Sequence, residues 1–133
     1  ERQKLRSKLV RQLKMKTSGG TGGGIRVLCY DSSAWVRDNF TRRAAEYNET
    51  APEGFKMSFD YTSDTLSTTS ATNSAGYDVI CLFVNDDAGA ETLKTVSMCG
   101  VKMIAMRCAG FDRVDKSMAE TLGLTVARVP AYR

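Results

Sequence analysis

Hydrophobic and polar positions fall into blocks from Ile25 onward, and each block has its own period. IRVLCY (25–30) is a short apolar run of strand type. Residues 33–48, SAWVRDNFTRRAAEYN, place Trp35, Val36, Phe40, Ala44 and Tyr47 near helical spacing, with Ser33 as the N-cap. FKMSFD, starting at Phe55 after the turn-forming APEG, alternates as a second strand. DVICLFV (78–84) is the most strand-like stretch, and its continuous β-branched and aromatic run implies burial on both faces. AETLKTVSM (90–98) reads as a helix stopped at Cys99-Gly100. VKMIAM (101–106) is a strand, VDKSMAETLG (114–123) a helix with Asp115 as N-cap and Gly123 as stop, and LTVARV (124–129) a strand before Pro130. TSDTLSTTSATNSAG (62–76) stands where a crossover helix belongs but has the composition of a loop, and both readings stay open.

The order β-α-β-(α)-β-α-β-α-β predicts a five-stranded parallel sheet with helices on both faces. Right-handed crossovers make such an α/β domain doubly wound. Sheets of this kind hold ligands outside the carboxyl ends of their strands.

The first 24 residues follow another pattern. ERQKLRSKLVRQLKMK (1–16) puts Leu5, Leu9 and Leu13 four residues apart within a cationic surround, which predicts a basic amphipathic helical arm. TSGGTGGG (17–24) is a flexible linker by composition. It is no phosphate loop: Gly20 and Gly22 would need a glycine where Ile25 stands, no GK[ST] follows, and the run precedes the first strand. The domain proper is expected over 25–133.

Charge sharpens this division. The net +4 comes from the arm, where seven basic residues face one acid; residues 17–133 hold 12 basic and 14 acidic side chains. The arm suits a membrane surface, a larger complex or nucleic acid, or it is what remains of an organellar targeting region. At 133 residues, 42% of them hydrophobic, one domain with a real core is expected, and no stretch approaches the ~18–20 apolar residues of a membrane span. Cys29, Cys81, Cys99 and Cys108 form no CxxC pair; buried thiols in a reducing cytoplasmic or organellar interior are expected, and secretion is not. The sequence has no histidine, which removes His-based acid–base catalysis, Ser-His-Asp triads and His-containing metal sites. No catalytic residue, cofactor-binding residue or metal ligand is expected in these residues.

Three strand ends carry candidate chemistry: Phe83-Val84-Asn85-Asp86-Asp87, Arg107-Cys108-Ala109-Gly110-Phe111, and Pro130-Ala131-Tyr132. Ala109 and Gly110 lack bulk, so their backbone N–H groups could approach an anion closely. Plainer readings stand beside these. Asn85, Asp86 and Asp87 serve equally as turn residues capping the next helix, Arg107 as a structural ion-pair partner, and Tyr132 as a surface tyrosine. Cys108 reads as a packed small hydrophobe, because a nucleophilic thiol usually wants a nearby base and no histidine exists.

VICLFVNDD (79–87), GVKMIAMRCAGFDRVD (100–115) and ETLGLTVARVPAY (120–132) resemble the N-terminal half of a D-isomer-specific 2-hydroxyacid dehydrogenase, of the fermentative D-lactate dehydrogenase branch. The similarity is dense over 78–132 and loose over 25–77. The resemblance implies a flavodoxin-like substrate domain. It further implies that Ala109 and Gly110 hold the substrate carboxylate through backbone N–H groups, and that Phe83, Val84, Asn85 and Tyr132 line the pocket. In that family a separate NAD-binding domain with a GxGxxG loop carries the cofactor and supplies the catalytic arginine, acid and histidine; a C-terminal helix returns to complete the substrate domain.

Two departures stand out. Asp112-Arg113 occupies the place of a polar pair commonly Asn-Asn or Asp-Asn, and Arg133 the place of Ser or Asp. Two functions follow from the resemblance. The chain is the substrate-binding half of a D-lactate-type dehydrogenase, taking a 2-hydroxy or 2-keto acid and inactive alone, with Arg133 expected where the family chain crosses into its second domain. Alternatively it is a non-catalytic dehydrogenase-derived subunit, docked to a protein partner through its arm.

Overall fold

A computed structural model describes residues 24–83, 85–107 and 114–128. The expected basic arm and most of the linker lie outside these residues. Five strands, β1 (Ile25–Cys29), β2 (Met57–Tyr61), β3 (Val79–Leu82), β4 (Met103–Met106) and β5 (Thr125–Arg128), form one sheet in the order β2-β1-β3-β4-β5. All neighbouring pairs are parallel. Helices α1 (Ala34–Thr50), α2 (Ala90–Met98) and α3 (Lys116–Thr121) supply crossovers. The winding reverses between β1 and β3, so the switch point of the sheet lies at their carboxyl ends.

Local chemistry sets the boundaries. The Ser33 hydroxyl accepts from the Val36 N–H at 3.2 Å and starts α1. Asp115 accepts from the Met118 N–H at 2.9 Å and starts α3. Gly100 and Gly123 take positive φ, 96° and 75°, where the chain leaves α2 and α3. The stretch 62–76 resolves toward loop: it holds one short 3-10 turn, Ser70–Ser74. Its hydroxyls bond each other and the backbone (Ser67 N–H to Ser70 Oγ, Ser70 Oγ–H to the Thr65 carbonyl), which competes with a helix ladder.

Register sorts the two faces of the sheet. Leu28, Ile80, Leu82, Ile104 and Met106 join Leu93 and Val96 of α2, Ala119 of α3 and Leu66 and Ala71 of the crossover in the main core. The opposite face carries Val27, Cys29 and Cys81 with Phe40 of α1, Phe59 and Tyr61. No residue of α1 is fully buried; Val36, Phe40, Ala44 and Asn48 form a half-buried stripe. Asn48 ties α1 to the edge strand, donating to the Met57 carbonyl at 2.7 Å and accepting from its N–H at 2.8 Å. Toward the other edge of this face, Val79, Met103, Ala105 and Ala127 are half-buried.

Candidate functional site at the strand ends

The carboxyl ends of β1, β3 and β4 converge on Arg107. Its backbone N–H donates to the Leu82 carbonyl at 2.8 Å, continuing the β3–β4 ladder one residue past the strand. Its guanidinium then turns back over the switch point. Nη2–H donates to the Tyr30 and Asp31 carbonyls, the latter at 3.3 Å, and Nε–H to the Leu82 carbonyl at 3.4 Å. The guanidinium carbon lies 5.1 Å from the centroid of the Phe83 ring. One cation thus gathers carbonyls from two strand ends and stacks on the aromatic that follows β3. Among the described residues its hydrogen-bond acceptors are main-chain carbonyls, left in need of donors where parallel strands stop.

A carboxylate completes the frame. Asp86 is 1% exposed and accepts from two main-chain N–H groups, Leu66 at 2.6 Å and Phe83 at 2.7 Å. Burial pushes its carboxyl above the usual range, the two N–H donors opposing the shift. Asp86 therefore pins the loop after β3 to the loop after β2 and does not cap α2, which corrects the capping reading. Asp87 accepts from Gly89 N–H at 2.9 Å, on the approach to that helix.

Asp31 adopts φ 51°, the left-handed region that a non-glycine residue rarely enters. Its N–H reaches the Asp64 carbonyl at 2.8 Å, and Ser32 N–H reaches the Thr62 carbonyl at 3.0 Å. The buried Ser32 hydroxyl donates to the Cys29 carbonyl at 3.0 Å. The turn after β1 is held from all sides, and its strained residue stands beside Arg107.

Of the residues expected to line a pocket, Phe83 and Asn85 sit at the end of β3. Phe83 is 40% exposed under the Arg107 cation, and Asn85 is exposed in the turn. Val84, Ala109, Gly110 and Tyr132, with Cys108, Asp112, Arg113 and Arg133, lie outside the described residues. Both flanks of 108–113 are fixed: Arg107 as described, and Val114 bridged in parallel to Ala88, with Asp115 N–H donating to the Ala88 carbonyl at 3.0 Å. Among the described residues no cluster of His, Cys, Asp and Glu could hold a metal ion. Sequence reasoning missed the roles of Asp31 and Asp86. Nothing in the spacing announces either, whereas an arginine ending a buried strand did mark Arg107.

The fold and this frame define a doubly wound α/β domain with its polar and cationic groups gathered at the switch point. Residues 36–133 match the D-isomer specific 2-hydroxyacid dehydrogenase catalytic domain, and the chain belongs to that family. D-lactate dehydrogenase of Escherichia coli is 40% identical over 87 residues, which are 65% of this chain and 26% of that protein. Its apo structure aligns with a TM-score of 0.70 at 33% identity, covering 82% of this chain and 32% of that one. A structure of the pyruvate reductase of Chlamydomonas reinhardtii aligns with a TM-score of 0.69 at 37% identity, covering 84% and 30%. D-lactate dehydrogenase from Lactobacillus jensenii, solved with NAD+, shares the fold at 19% identity and a TM-score of 0.67, covering 82% and 31%. The chain spans about a quarter of the length of the curated relatives it matches.

Proposed function

We propose that the chain is the substrate-carboxylate-binding half of a D-lactate-type 2-hydroxyacid dehydrogenase. The observation that carries this reading is Arg107, which rigidifies the ends of β1, β3 and β4 on the threshold of Ala109 and Gly110. A 2-keto acid such as pyruvate would set its carboxylate against the backbone N–H groups of Ala109 and Gly110, with Phe83, Val84, Asn85 and Tyr132 around it. Positive charge from Arg107 nearby favours an anion there, while the stacked Phe83 presents apolar surface to the rest of a small ligand.

Hydride and proton would come from a nicotinamide-binding domain that these 133 residues do not contain. NAD, held there, supplies the hydride; this chain's part is to bind and orient the acid. A histidine-free sequence suits that division of labour. The alternative, a non-catalytic subunit docked through residues 1–16, is favoured by the basic arm and by Arg113 and Arg133 at departures from the family pattern.

The purified chain should show no pyruvate-dependent oxidation of NADH. Fused to the remainder of the Escherichia coli D-lactate dehydrogenase chain, it should restore pyruvate reduction. Turnover by the chain alone would refute the division of labour. A fusion that folds and binds NADH but reduces nothing would favour the subunit reading.

A further inference from the structure

Cys29 and Cys81 are Cα partners on the adjacent central strands β1 and β3, so both side chains leave the sheet on the α1 face. Cys29 is 0% and Cys81 5% exposed, both are free, and the two thiols hydrogen-bond each other. Neighbouring strands lie about 4.8 Å apart, within the Cα separation of about 4.4–6.8 Å that a disulfide spans. No step of the dehydrogenase reading uses either sulfur. We propose that Cys29 and Cys81 are an oxidisable dithiol site, closed into a β1–β3 disulfide by a hydroperoxide and reopened by a thiol reductant.

The two sulfurs are coupled through their shared contact, and the Arg107 cation favours the thiolate of either. The hydrogen bond with Cys29 and the nearby Arg107 cation hold the Cys81 thiol below its ordinary pKa, against the effect of burial. The same contact, together with burial, holds the Cys29 thiol up, with Arg107 opposing the shift. One of the two, as its thiolate, attacks one peroxide oxygen; the O–O bond breaks, an alcohol leaves with a proton, and that sulfur becomes a sulfenic acid. The other thiol then gives up its proton and attacks the oxidised sulfur; the S–O bond breaks and water leaves. Two thiols and one hydroperoxide yield one disulfide, one alcohol and one water.

Both thiols are buried, so oxidation needs a local opening of this face. The neighbour of Cys81 on β4 is Ala105, whose methyl makes a low rim, and both Ala105 and Ala127 beyond it are half-buried. Among the described helices only α1 lies on this face, packed chiefly on β2. Strand spacing also exceeds the Cβ separation of about 3.8 Å usual in disulfides, so the bond would be strained and easily reduced. It would form one residue before Tyr30 and Leu82, next to the carbonyls that Arg107 gathers. The redox state of the pair would therefore reach the strand-end site.

Each of the four cysteines falls in a different tryptic peptide, which makes the test direct. The 133-residue chain is treated with stoichiometric hydrogen peroxide, blocked by alkylation, and digested without reductant. The expected product is peptide 27–37 joined to peptide 57–94 with the loss of two hydrogen masses, separated again by a thiol reductant. In Cys29→Ser or Cys81→Ser, the remaining thiol of the pair should accumulate as a sulfenic acid that dimedone traps. The proposal is overturned if Cys29 and Cys81 remain alkylatable after peroxide, or if dimedone finds no adduct at the remaining thiol in either variant.

Discussion

Arg107 and Asp86 bear the frame of the strand-end site at the scale of single residues. Lysine at 107 would keep the charge but lose the planar fork that reaches Tyr30, Asp31 and Leu82 together. Arg107→Lys should cost about 1–2 kcal/mol in urea unfolding, the price of leaving strand-end carbonyls without donors. A variant as stable as the wild type would show that the carbonyl contacts contribute nothing. Asp86 carries a pH signature. A carboxyl raised in the folded state contributes stability below its unfolded pKa and loses it as pH rises through the folded value. Asp86→Asn removes that titration and leaves one of two N–H groups without an acceptor, a penalty of about 1–3 kcal/mol. The stability gap between wild type and variant should therefore be widest below about pH 4 and narrow toward neutrality. A gap that widens with pH would contradict the burial assigned to this carboxyl. Cys81, at the same scale, shows what type alone leaves out: it reads as one more buried thiol until Cys29 is found beside it in register.

Helices α1 and α2 make opposite demands on the sheet. Leu93 of α2 is 0% exposed in the main core, and Leu93→Ala should cost about 2–5 kcal/mol. Trp35 of α1 is 71% exposed, so Trp35→Ala should stay within about 0.5 kcal/mol. Equal losses in calorimetry would mean that α1 is buried as deeply as α2. The periodic elements were legible because burial imposes a period. DVICLFV and VKMIAM lie within a sheet covered by helices, and Ser33, Asp115, Gly100 and Gly123 mark boundaries by their own backbone chemistry. The stretch 62–76 was not legible, because serine and threonine side chains there bond nearby backbone in a way no period records. The site was half legible for the same reason. Arg107 ends an apolar run and announces a strand end, but the acceptors it gathers lie 25, 76 and 77 residues away in sequence.

For the whole molecule, doubly wound topology places a reversal between β1 and β3, and the polar frame stands where that reversal opens the sheet. The family relation and the likeness to D-lactate dehydrogenases fix the family and the fold. The central claim is that this end of the sheet binds a carboxylate. Its most direct measurement is an amide chemical-shift titration of the isotope-labelled chain with pyruvate and, separately, with pyruvamide, which lacks the charge. Pyruvate should shift the amides around 30–32, 83–87 and 107–110, and pyruvamide should leave them in place. Shifts spread over other surfaces, equal shifts with both compounds, or none with pyruvate would contradict the account.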